Sequence, residues 1–479
     1  MKVLIYTLGC KVNEVDSELY AQELRSLGAE TAATLTEADA VIVNSCSVTN
    51  RAQAQSLQLA RRARRERPGV PVYLTGCGAA LLNLTHMEAP AGVAVVAMRD
   101  RAEVARRVVG SGDLALAPAR WVDARIQRAG PRNRVDVRVQ EGCDNMCTYC
   151  VVPFVRGSRL ESKAVDVAVD EVMGLARAGV KEVVLTGTEI GKYGKAPHES
   201  PSRIGETDSG SAPFESTPRI EKTYSGALGQ HAQGKLETHV REQTPYRLAI
   251  LLDSMLGSLE AAGLPTRVRV SSLNPDAITE ALVSQFKSHA QLCPQLHLPL
   301  QSGSDAILRC MRRPYVSKDL IDSAQRLRAV NSSFTLTTDV IVGFPGETER
   351  DLQATLDMIR LAAFAKVHVF PYSQRPFTPA ARDEHQVPAG VARERVHRVM
   401  EVAEVTGMVF ASRFIGQRVT IVSEKSSPGE VQGYSEYYLW TEGRASGNRM
   451  LERDSFVIVR VEGCRFDGDR VVLTGSVVA

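Results

Sequence analysis

Short apolar runs alternate with longer helical segments through the first part of the chain. The runs at 2–7, 41–44 and 72–75 are rich in residues of high β propensity and have the length of strands. The segments at 14–27 and 50–67 have the length and composition of helices. Because strands and helices alternate, the pattern predicts a doubly wound parallel sheet at the start of an α/β protein.

In the centre of the chain, six strand-like runs recur between helical segments. Six repeats are too few to close an eight-stranded barrel, so they predict an open, partial (β/α)6 barrel. Ligands of such barrels bind at the carboxyl ends of the strands, where Cys143, Gly187 and Gly343 fall. The six runs lie at 135–140, 183–186, 267–271, 296–300, 335–342 and 366–370.

Two further regions depart from this alternation. One is rich in Ser, Thr, Glu, Gly, Pro and His and cannot bury a core, which predicts a disordered insertion on an exposed loop. The other, at the carboxyl end, has short strands at 418–423, 431–440, 456–461 and 471–478, which predict a small antiparallel β-barrel. The predicted domains are residues 1–115, 132–400 and 414–479, with a linker at 116–131 and the insertion at 195–246.

Composition and charge narrow the class of protein. A chain of 479 residues is too long for one core, and 44% hydrophobic with 24% charged residues is ordinary for globular domains. A net charge of +3 means that any affinity for nucleic acid must come from local patches. No apolar stretch is long enough to span a bilayer, and the first residues do not form a signal peptide. Nine cysteines suit a reducing compartment where thiolates bind metals, so we expect a cytoplasmic protein without membrane contact.

The most informative motif is a C-x3-C-x2-C run formed by Cys143, Cys147 and Cys150. Three thiolates can bind three irons of a four-iron cluster and leave the fourth iron open to a substrate. A structural zinc site is the alternative. Such sites are normally closed by four ligands, however, and no histidine follows this run at ligand spacing.

Three other cysteines occupy equivalent places in the first domain. Cys10, Cys46 and Cys77 each come just after a predicted strand. A single cysteine in such a place is usually a small buried residue. Because the carboxyl ends of parallel strands meet at one edge of a sheet, the three together predict a second thiolate site with an open iron.

The C-x3-C-x2-C run, with Tyr149 before its last cysteine, resembles the radical S-adenosylmethionine (SAM) enzymes. Its flanking residues resemble more narrowly the methylthiotransferases among them. The central barrel, with a glycine at the end of its second strand, agrees with that resemblance. The C-terminal barrel agrees as well, since in this family it is an RNA-binding TRAM domain. Further segments that resemble the family are 7–13, 44–50, 139–142, 298–304 and 370–380.

The resemblance implies SAM and two [4Fe–4S] clusters as cofactors. In the family, one cluster chelates SAM at its open iron and the auxiliary cluster presents the sulfur that is transferred. The resemblance also implies that Tyr149 lies near the adenine of SAM. The implied cluster ligands are Cys143, Cys147 and Cys150 for the first cluster and Cys10, Cys46 and Cys77 for the auxiliary one.

Two short segments resemble SAM contacts of the family. Gly187-Thr188-Glu189 resembles the motif that receives the methionyl amine, since a carboxylate or hydroxyl accepts hydrogen bonds from an ammonium. Ile341-Val342-Gly343 resembles the segment that flanks adenine, although a buried strand explains Ile341 and Val342 equally well. No catalytic side chain beyond these is identified from the sequence.

The implied reaction is the addition of a methylthio group to C2 of N6-threonylcarbamoyladenosine at tRNA position 37. The string from Leu8 to Asn13 resembles the branch of the family that acts on this nucleoside. The implied partners are a tRNA anticodon stem-loop and a reductant protein, and we expect a monomer or a weak dimer. Isopentenyladenosine in tRNA and a ribosomal-protein aspartate stay open as substrates. A non-catalytic RNA-binding protein with zinc or redox-active thiols is a more remote alternative.

Several side chains are candidates for contacts with tRNA. A threonylcarbamoyl carboxylate needs a cationic partner, for which Arg312, Arg313 and Arg375 are candidates. Aromatic residues of the C-terminal strands, Tyr434, Tyr437, Tyr438 and Trp440, offer stacking faces or pack within the barrel. Some arginines of two clusters are expected to contact phosphates: Arg61, Arg62, Arg64, Arg65 and Arg67, and Arg120, Arg125, Arg128, Arg132, Arg134 and Arg138.

Overall fold

The structure is a computed structural model, and it describes residues 1–96, 101–110, 121–127, 133–195, 247–446 and 451–478. Apart from residue 195, the predicted insertion lies outside the described residues. Residues 116–120 and 128–131 of the predicted linker also lie outside them. No helix of the described part is long and apolar enough to cross a membrane.

The N-terminal sheet has five parallel strands in the order β2-β1-β3-β4-β5. Successive residues of β1 and β3 face opposite sides of the sheet, where α1 and α4 pack on one side and α2 and α3 on the other. The prediction of a doubly wound parallel sheet is confirmed. Its elements are β1 (Lys2–Thr7), α1 (Lys11–Ser26), β2 (Glu30–Thr31), β3 (Ala40–Ser45), α2 (Asn50–Glu66), β4 (Val72–Thr75), α3 (Gly76–Thr85), β5 (Val93–Val95) and α4 (Arg101–Val109).

The six predicted central strands are all present and form an open barrel. β6, β8 and β9 pair in parallel, as do β10, β11 and β12, and parallel bridges from Val268 to Leu292 and from Ser272 to His297 join the two groups. A short antiparallel strand, β7, was not predicted. The elements are β6 (Arg134–Glu141), α5 (Val152–Arg156), β7 (Glu161–Ser162), α6 (Val165–Arg177), β8 (Glu182–Gly187), α7 (Arg247–Ala261), β9 (Arg267–Val270), α8 (Glu280–Ser288), β10 (Gln295–His297), α9 (Asp305–Cys310), α10 (Ser317–Val330), β11 (Thr335–Val342), α11 (Glu349–Ala362), β12 (Lys366–Pro371) and α12 (Ala389–Ser412).

The C-terminal strands curl into a small barrel that covers Phe410 and Phe414 of the region around the end of α12. The predicted strand at 431–440 is in fact two strands, because the chain turns at Tyr438, whose φ is +59°. β16 and β18 also pair in parallel, whereas the sequence predicts antiparallel pairing throughout. The strands are β13 (Arg418–Val422), β14 (Lys425–Ser427), β15 (Glu430–Tyr434), β16 (Trp440–Arg444), β17 (Phe456–Phe466) and β18 (Val471–Val477).

The C-terminal barrel is docked on the amino ends of β8 and β9. Arg267 Nη1 donates to the carbonyl of Thr420 (2.7 Å), and Arg269 Nη2 donates to that of Ser435 (3.1 Å). Both arginines pair with buried Glu182, at 2.6 and 2.8 Å. Burial alone would raise the pKa of Glu182, but these two guanidiniums hold it well below its usual range. The ion-paired cluster therefore places the C-terminal barrel at the end of the central barrel opposite to the predicted ligand site.

This docking decides the role of the C-terminal aromatic residues. Tyr434 stacks on Tyr438 with ring centroids 4.6 Å apart, and the Arg134 guanidinium lies 4.9 Å from the Tyr434 centroid. Tyr437 packs against Phe414 at 4.8 Å. The rings thus pack against one another and against the central barrel. Of the two roles considered from the sequence, these contacts fit packing and not a free stacking surface for RNA.

Candidate active site

Cys10, Cys46 and Cys77 lie at the carboxyl edge of the first sheet. α1 begins at Lys11, earlier than the predicted segment, so Cys10 is the residue that precedes its first turn. Cys46 directly follows β3, and Cys77 lies in the first turn of α3. A Cβ on Gly9, whose φ is +108°, would lie 2.9 Å from Cys46 Sγ, so only glycine lets this loop approach the cysteine.

The three thiols are close enough to interact electrostatically. Burial raises the pKa of Cys46, and nearby Cys10 raises it further. Burial raises the pKa of Cys77 to about 12, and Cys10 again adds to the rise. Thiolates at such positions need a cationic partner, and metal ions provide one by displacing the protons. The donor set therefore fits an iron–sulfur cluster.

Two buried asparagines hold the loops that carry these cysteines. Asn13 Nδ2 donates to the carbonyls of Leu8 (2.7 Å) and Ser45 (3.1 Å). Asn44 Nδ2 donates to the carbonyl of Asn13 at 2.8 Å. The bonds from Asn13 to Ser45 and from Asn44 to Asn13 tie the segment after β1 to the end of β3, so they hold the loops of Cys10 and Cys46 against each other.

The second triad lies on the loop between β6 and α5. Burial raises the pKa of Cys143 to about 12 and that of Cys150 to about 11. Gly142, with φ of +84°, begins the loop, and a Cβ there would lie 1.9 Å from the carbonyl oxygen of Arg159. Glycine is therefore required at this position, where the chain leaves β6 and enters the loop that carries the three cysteines.

Cluster sites and single-ion sites differ in geometry. Among the residues that the structure describes, no three His, Cys, Asp or Glu side chains are placed to bind one metal ion. A four-iron cluster instead takes each thiolate on a different iron, with sulfides between the irons. The two triads therefore suit a four-iron cluster rather than a single metal ion.

Arg313 lies against the second triad. Its Nη1 donates to Cys147 Sγ (3.1 Å) and to the Tyr149 hydroxyl (3.3 Å), and its Nε donates to the Tyr315 hydroxyl (3.0 Å). The Tyr149 ring meets Phe344 edge-on, with centroids 6.5 Å apart. Burial raises the pKa of Tyr149, so its hydroxyl is neutral. Sequence reasoning considered Arg313 only as a partner for a substrate carboxylate, and no spacing signal placed it beside a cysteine.

The segment from Gly187 to Glu189 lies next to the same triad. Glu189 Oε2 accepts hydrogen bonds from Asn145 Nδ2 (3.0 Å), within the cysteine loop, and from Asn274 Nδ2 (2.8 Å). Burial raises the pKa of Glu189 to about 7. The buried hydroxyl of Thr188 has no hydrogen-bond partner among the described residues. A carboxylate and an unpaired hydroxyl beside the triad fit an ammonium group.

Ile341, Val342 and Gly343, at the end of β11, differ in which of their groups a ligand could contact. The Ile341 side chain belongs to an apolar group with Tyr149 beside the second triad. The Val342 side chain is completely buried in the barrel core, so only its backbone is available to a ligand. Gly343, with φ of +72°, donates its N–H to Glu347 Oε2 at 2.6 Å. The Val342 side chain thus packs in the barrel core, whereas the Ile341 side chain packs in the apolar group that contains Tyr149.

Helix α5 connects the two triads. It begins two residues after Cys150, and Val151 and Val155 pack against Cys77. At its end, Arg156 Nε donates to Cys77 Sγ at 3.1 Å. Sequence reasoning did not identify Arg156, because nothing in the local pattern shows that this helix meets the first domain. The two candidate cluster sites are therefore neighbours that share one short helix.

The remaining predicted arginines lie in different environments. Arg312 is exposed, whereas Arg375 is only 2% exposed and donates from Nη2 to Gln53 Oε1 at 2.8 Å. The charge of Arg375 opposes the rise in pKa that burial causes in Cys46, so it lies near the first triad. No carboxylate pairs with it in the described part of the chain.

The predicted arginine clusters are partly used inside the protein. Arg138 is 1% exposed and pairs with Asp16 at 2.9 Å, so it does not reach a phosphate. Arg62 pairs with Glu66 at 2.8 Å on the surface. Arg120, Arg128 and Arg132 lie outside the described residues.

Comparison with known proteins agrees with this geometry. Residues 2–97 match the sequence model of a family described as Uncharacterized protein family UPF0004, and residues 230–359 match that of the Radical SAM superfamily. A solved structure of a radical SAM methyltransferase, TsrM from Kitasatospora setae, superimposes with a TM-score of 0.52 over 79% of this chain and 75% of its own, at 15% identity. At that identity the likeness shows the fold alone.

Relatives of similar length extend the comparison over most of the chain. The Thermotoga maritima protein named threonylcarbamoyladenosine tRNA methylthiotransferase MtaB is 32% identical, over 97% of this chain and 95% of its own. The protein of the same name from Bacillus subtilis is 29% identical over 91% of this chain and 89% of its own. A Maricaulis maris protein named tRNA-2-methylthio-N(6)-dimethylallyladenosine synthase is 32% identical over 91% of this chain and 90% of its own. The chain therefore belongs to the radical SAM methylthiotransferases, a family of enzymes that use SAM and [4Fe–4S] clusters.

Proposed function

We propose that this enzyme adds a methylthio group to C2 of N6-threonylcarbamoyladenosine at tRNA position 37, giving 2-methylthio-N6-threonylcarbamoyladenosine. The observation that carries the proposal is the pair of cysteine triads joined by α5, with Cys77 of one triad packed against Val151, next to Cys150 of the other. The Thermotoga and Bacillus relatives, named for threonylcarbamoyladenosine, support this substrate. The Maricaulis relative, equally identical at 32%, supports dimethylallyladenosine as the second candidate.

We assign the cluster ligands accordingly, with Cys143, Cys147 and Cys150 for the SAM cluster and Cys10, Cys46 and Cys77 for the auxiliary cluster. When bound, the first cluster supplies the electron that cleaves SAM, and the second holds the sulfur that is transferred. The protein's part is to hold the two sites side by side. It does so through α5, which begins two residues after Cys150 and packs against Cys77 through Val155.

The side chains around the second triad divide the parts of SAM among them. Glu189 and the Thr188 hydroxyl, which has no partner among the described residues, would accept hydrogen bonds from its ammonium. Tyr149 and Ile341 would form an apolar side for the adenine, and Arg313 would supply a buried cation for the carboxylate. These roles rest on the chemistry of the groups and on their contacts with the cysteine loop.

Glu189→Gln is expected to weaken SAM binding to the cluster-loaded protein about 10- to 150-fold, since a charge-assisted hydrogen bond contributes about 1.5–3 kcal/mol. Burial raises the pKa of Glu189 to about 7, so its carboxylate is charged above that pH and protonated below it. SAM affinity should therefore fall as the pH is lowered from about 8 to about 6, and in the variant it should not change. Equilibrium binding at both pH values measures this, with Thr188→Ser as a control that keeps the hydroxyl. Wild-type binding that is independent of pH would contradict the assignment.

We infer that the partners are the anticodon stem-loop of tRNA and a reductant protein, and that the enzyme works in the cytoplasm as a monomer or weak dimer. Arg375 is the strongest candidate for the threonylcarbamoyl carboxylate. It is a buried guanidinium near the first triad, and no carboxylate of the described residues neutralises it. Its position on the loop after β12 puts it beside α2, at the edge where the transferred sulfur would be held.

The test uses anaerobically reconstituted enzyme and two stem-loops that differ only in the modification at position 37. Mass spectrometry of the nucleosides should show methylthiolation of the threonylcarbamoyl stem-loop and little of the isopentenyl one. Arg375→Lys should retain some activity, whereas Arg375→Gln should lose the preference. The proposal is wrong if only the isopentenyl stem-loop reacts, and the substrate is a protein if neither RNA reacts but a ribosomal fraction does.

A further inference from the structure

Two exposed phenylalanine rings lie on the segments that border the active site. Phe154 belongs to α5, and Phe377 lies on the loop after β12. Their side chains leave 38% and 42% of the residue surface exposed, and the ring centroids are 6.1 Å apart at an interplanar angle of 37°. The rings therefore touch each other and present one apolar face to solvent.

The backbone of Phe377 is strained. Its φ is +67°, in the left-handed region that glycine adopts without cost and that a side chain with a Cβ disfavours. An aromatic residue at this place is thus unfavourable for stability in two ways, through its backbone conformation and through the exposure of its ring to water. Strain of this kind clusters at ligand contacts, because the surrounding structure must hold it in place.

The loop that carries Phe377 is fixed to both cysteine sites. The Ala380 N–H donates to the carbonyl of Thr148, between Cys147 and Tyr149, at 3.0 Å. On the other side, the Asn50 N–H at the start of α2 donates to Ser373 Oγ at 3.2 Å. The Thr378 hydroxyl donates to the carbonyl of Arg375 at 2.7 Å and closes the turn. Phe377 is therefore held rigidly between the two triads.

Phe154 is equally constrained. Its neighbours Val155 and Arg156 face Cys77 and the first domain, so the helix turns Phe154 outward. Because the loop of Phe377 is tied to both triads, a nucleotide held between them would have its neighbours in the RNA strand close to this surface. Aromatic side chains stack on unpaired bases of RNA loops, and do so with little dependence on base identity.

We propose that Phe154 and Phe377 form a stacking platform for a nucleobase next to the modified one in the tRNA loop. The inference rests on the proposed function, because it needs RNA as the substrate, and it deepens that function by naming the surface that holds the strand. The contact between the rings leaves no room for a base between them, so the base stacks on their outer face.

The decisive variant is Phe377→Gly, because it removes the ring and relieves the backbone strain. It should raise the melting temperature yet bind the anticodon stem-loop about 5- to 150-fold more weakly, the range expected for one lost base stack. Phe154→Ala should weaken binding similarly, and Phe377→Tyr should restore it. Leu361→Ala, on the exposed face of α11, is the matched control and should leave RNA affinity unchanged.

Fluorescence anisotropy with full-length, cluster-loaded enzyme and a labelled stem-loop measures these affinities, and iron analysis verifies that each variant keeps its clusters. If Phe377→Gly is stabilised and binds RNA as tightly as the wild type, the platform is overturned while the proposed function stands. If the variants bind RNA normally but are no longer reduced by the electron donor, the rings bind that protein instead and the platform is again overturned. A wild-type enzyme that neither binds nor modifies the stem-loop overturns the platform and the proposed function together.

Discussion

Replacing Cys10, Cys46 and Cys77 together by alanine is expected to lower the iron content of the anaerobically purified protein from about eight to about four irons per chain. The reason is that the two triads occupy separate loops and each binds one four-iron cluster in our proposal. The variant should lose methylthiolation completely, since it has no site for the transferred sulfur. It should still cleave SAM, because the second triad is intact. Iron and sulfide analysis, with electron paramagnetic resonance of the reduced protein, measures both effects.

The chain provides its own control for this experiment. Cys464 is a free cysteine on β17 of the C-terminal barrel, remote in the fold from either triad, and Cys464→Ala should keep about eight irons. A wild-type protein that is colourless and holds about one metal per triad would instead indicate zinc. A triple variant that keeps all of its iron would show that the first triad does not bind a cluster.

Arg156→Met is expected to destabilise the protein by about 3–5 kcal/mol, the cost of removing one partner from a buried ion pair. Its side chain is 3% exposed, and its guanidinium bonds to Asp16 Oδ2 (2.9 Å) and Glu141 Oε1 (3.1 Å). The same guanidinium donates to Cys77 Sγ at 3.1 Å. Hydrogen bonds to cluster sulfurs set the reduction potential, so the milder Arg156→Lys should lower the potential of the auxiliary cluster alone. Thermal unfolding and a redox titration followed by electron paramagnetic resonance measure the two effects.

Arg138 is a close internal control for this prediction. It is also buried and pairs with the same two carboxylates, Asp16 at 2.9 Å and Glu141 at 3.2 Å, and its guanidinium lies 4.7 Å from the Trp121 ring centroid. Arg138→Lys should reduce stability about as much as Arg156→Lys does, because both arginines pair with the same two carboxylates. It should leave the reduction potential of the auxiliary cluster unchanged, because the hydrogen bond to Cys77 Sγ comes from Arg156. Equal shifts of potential in the two lysine variants would mean that Arg156 acts only by holding the domains together.

Much of the fold follows from local pattern. Three strands of the first sheet and the six strands of the central barrel are marked by apolar runs of high β propensity, and the structure has strands at each of these places, whereas the short strands β2 and β5 were not predicted. The C-terminal barrel was less predictable. Its second run is interrupted at Tyr438, and the parallel pairing of β16 with β18 depends on how the barrel closes rather than on any local signal.

The candidate site divides in the same way. The six cysteines were identifiable because three thiols at strand ends, and three at C-x3-C-x2-C spacing, indicate metal ligation far more than packing. Arg156 and Arg313 were not, although each donates a hydrogen bond to one triad. An arginine far from a cysteine in sequence shows nothing of that contact until the chain is folded. Nor does the sequence show that the alternation along β11 turns the Val342 side chain into the core and leaves only its backbone for a ligand.

The sequence by itself determined the alternation of the longer strands and helices, the two sets of thiols and the family, because those depend on residue type and on spacing over a few residues. Only the tertiary structure decided which arginine meets which sulfur, that the C-terminal aromatic residues pack against the central barrel, and that a strained phenylalanine stands between the two sites. Those features depend on contacts between segments distant in sequence, and such contacts are set by the packing of whole domains rather than by any local pattern.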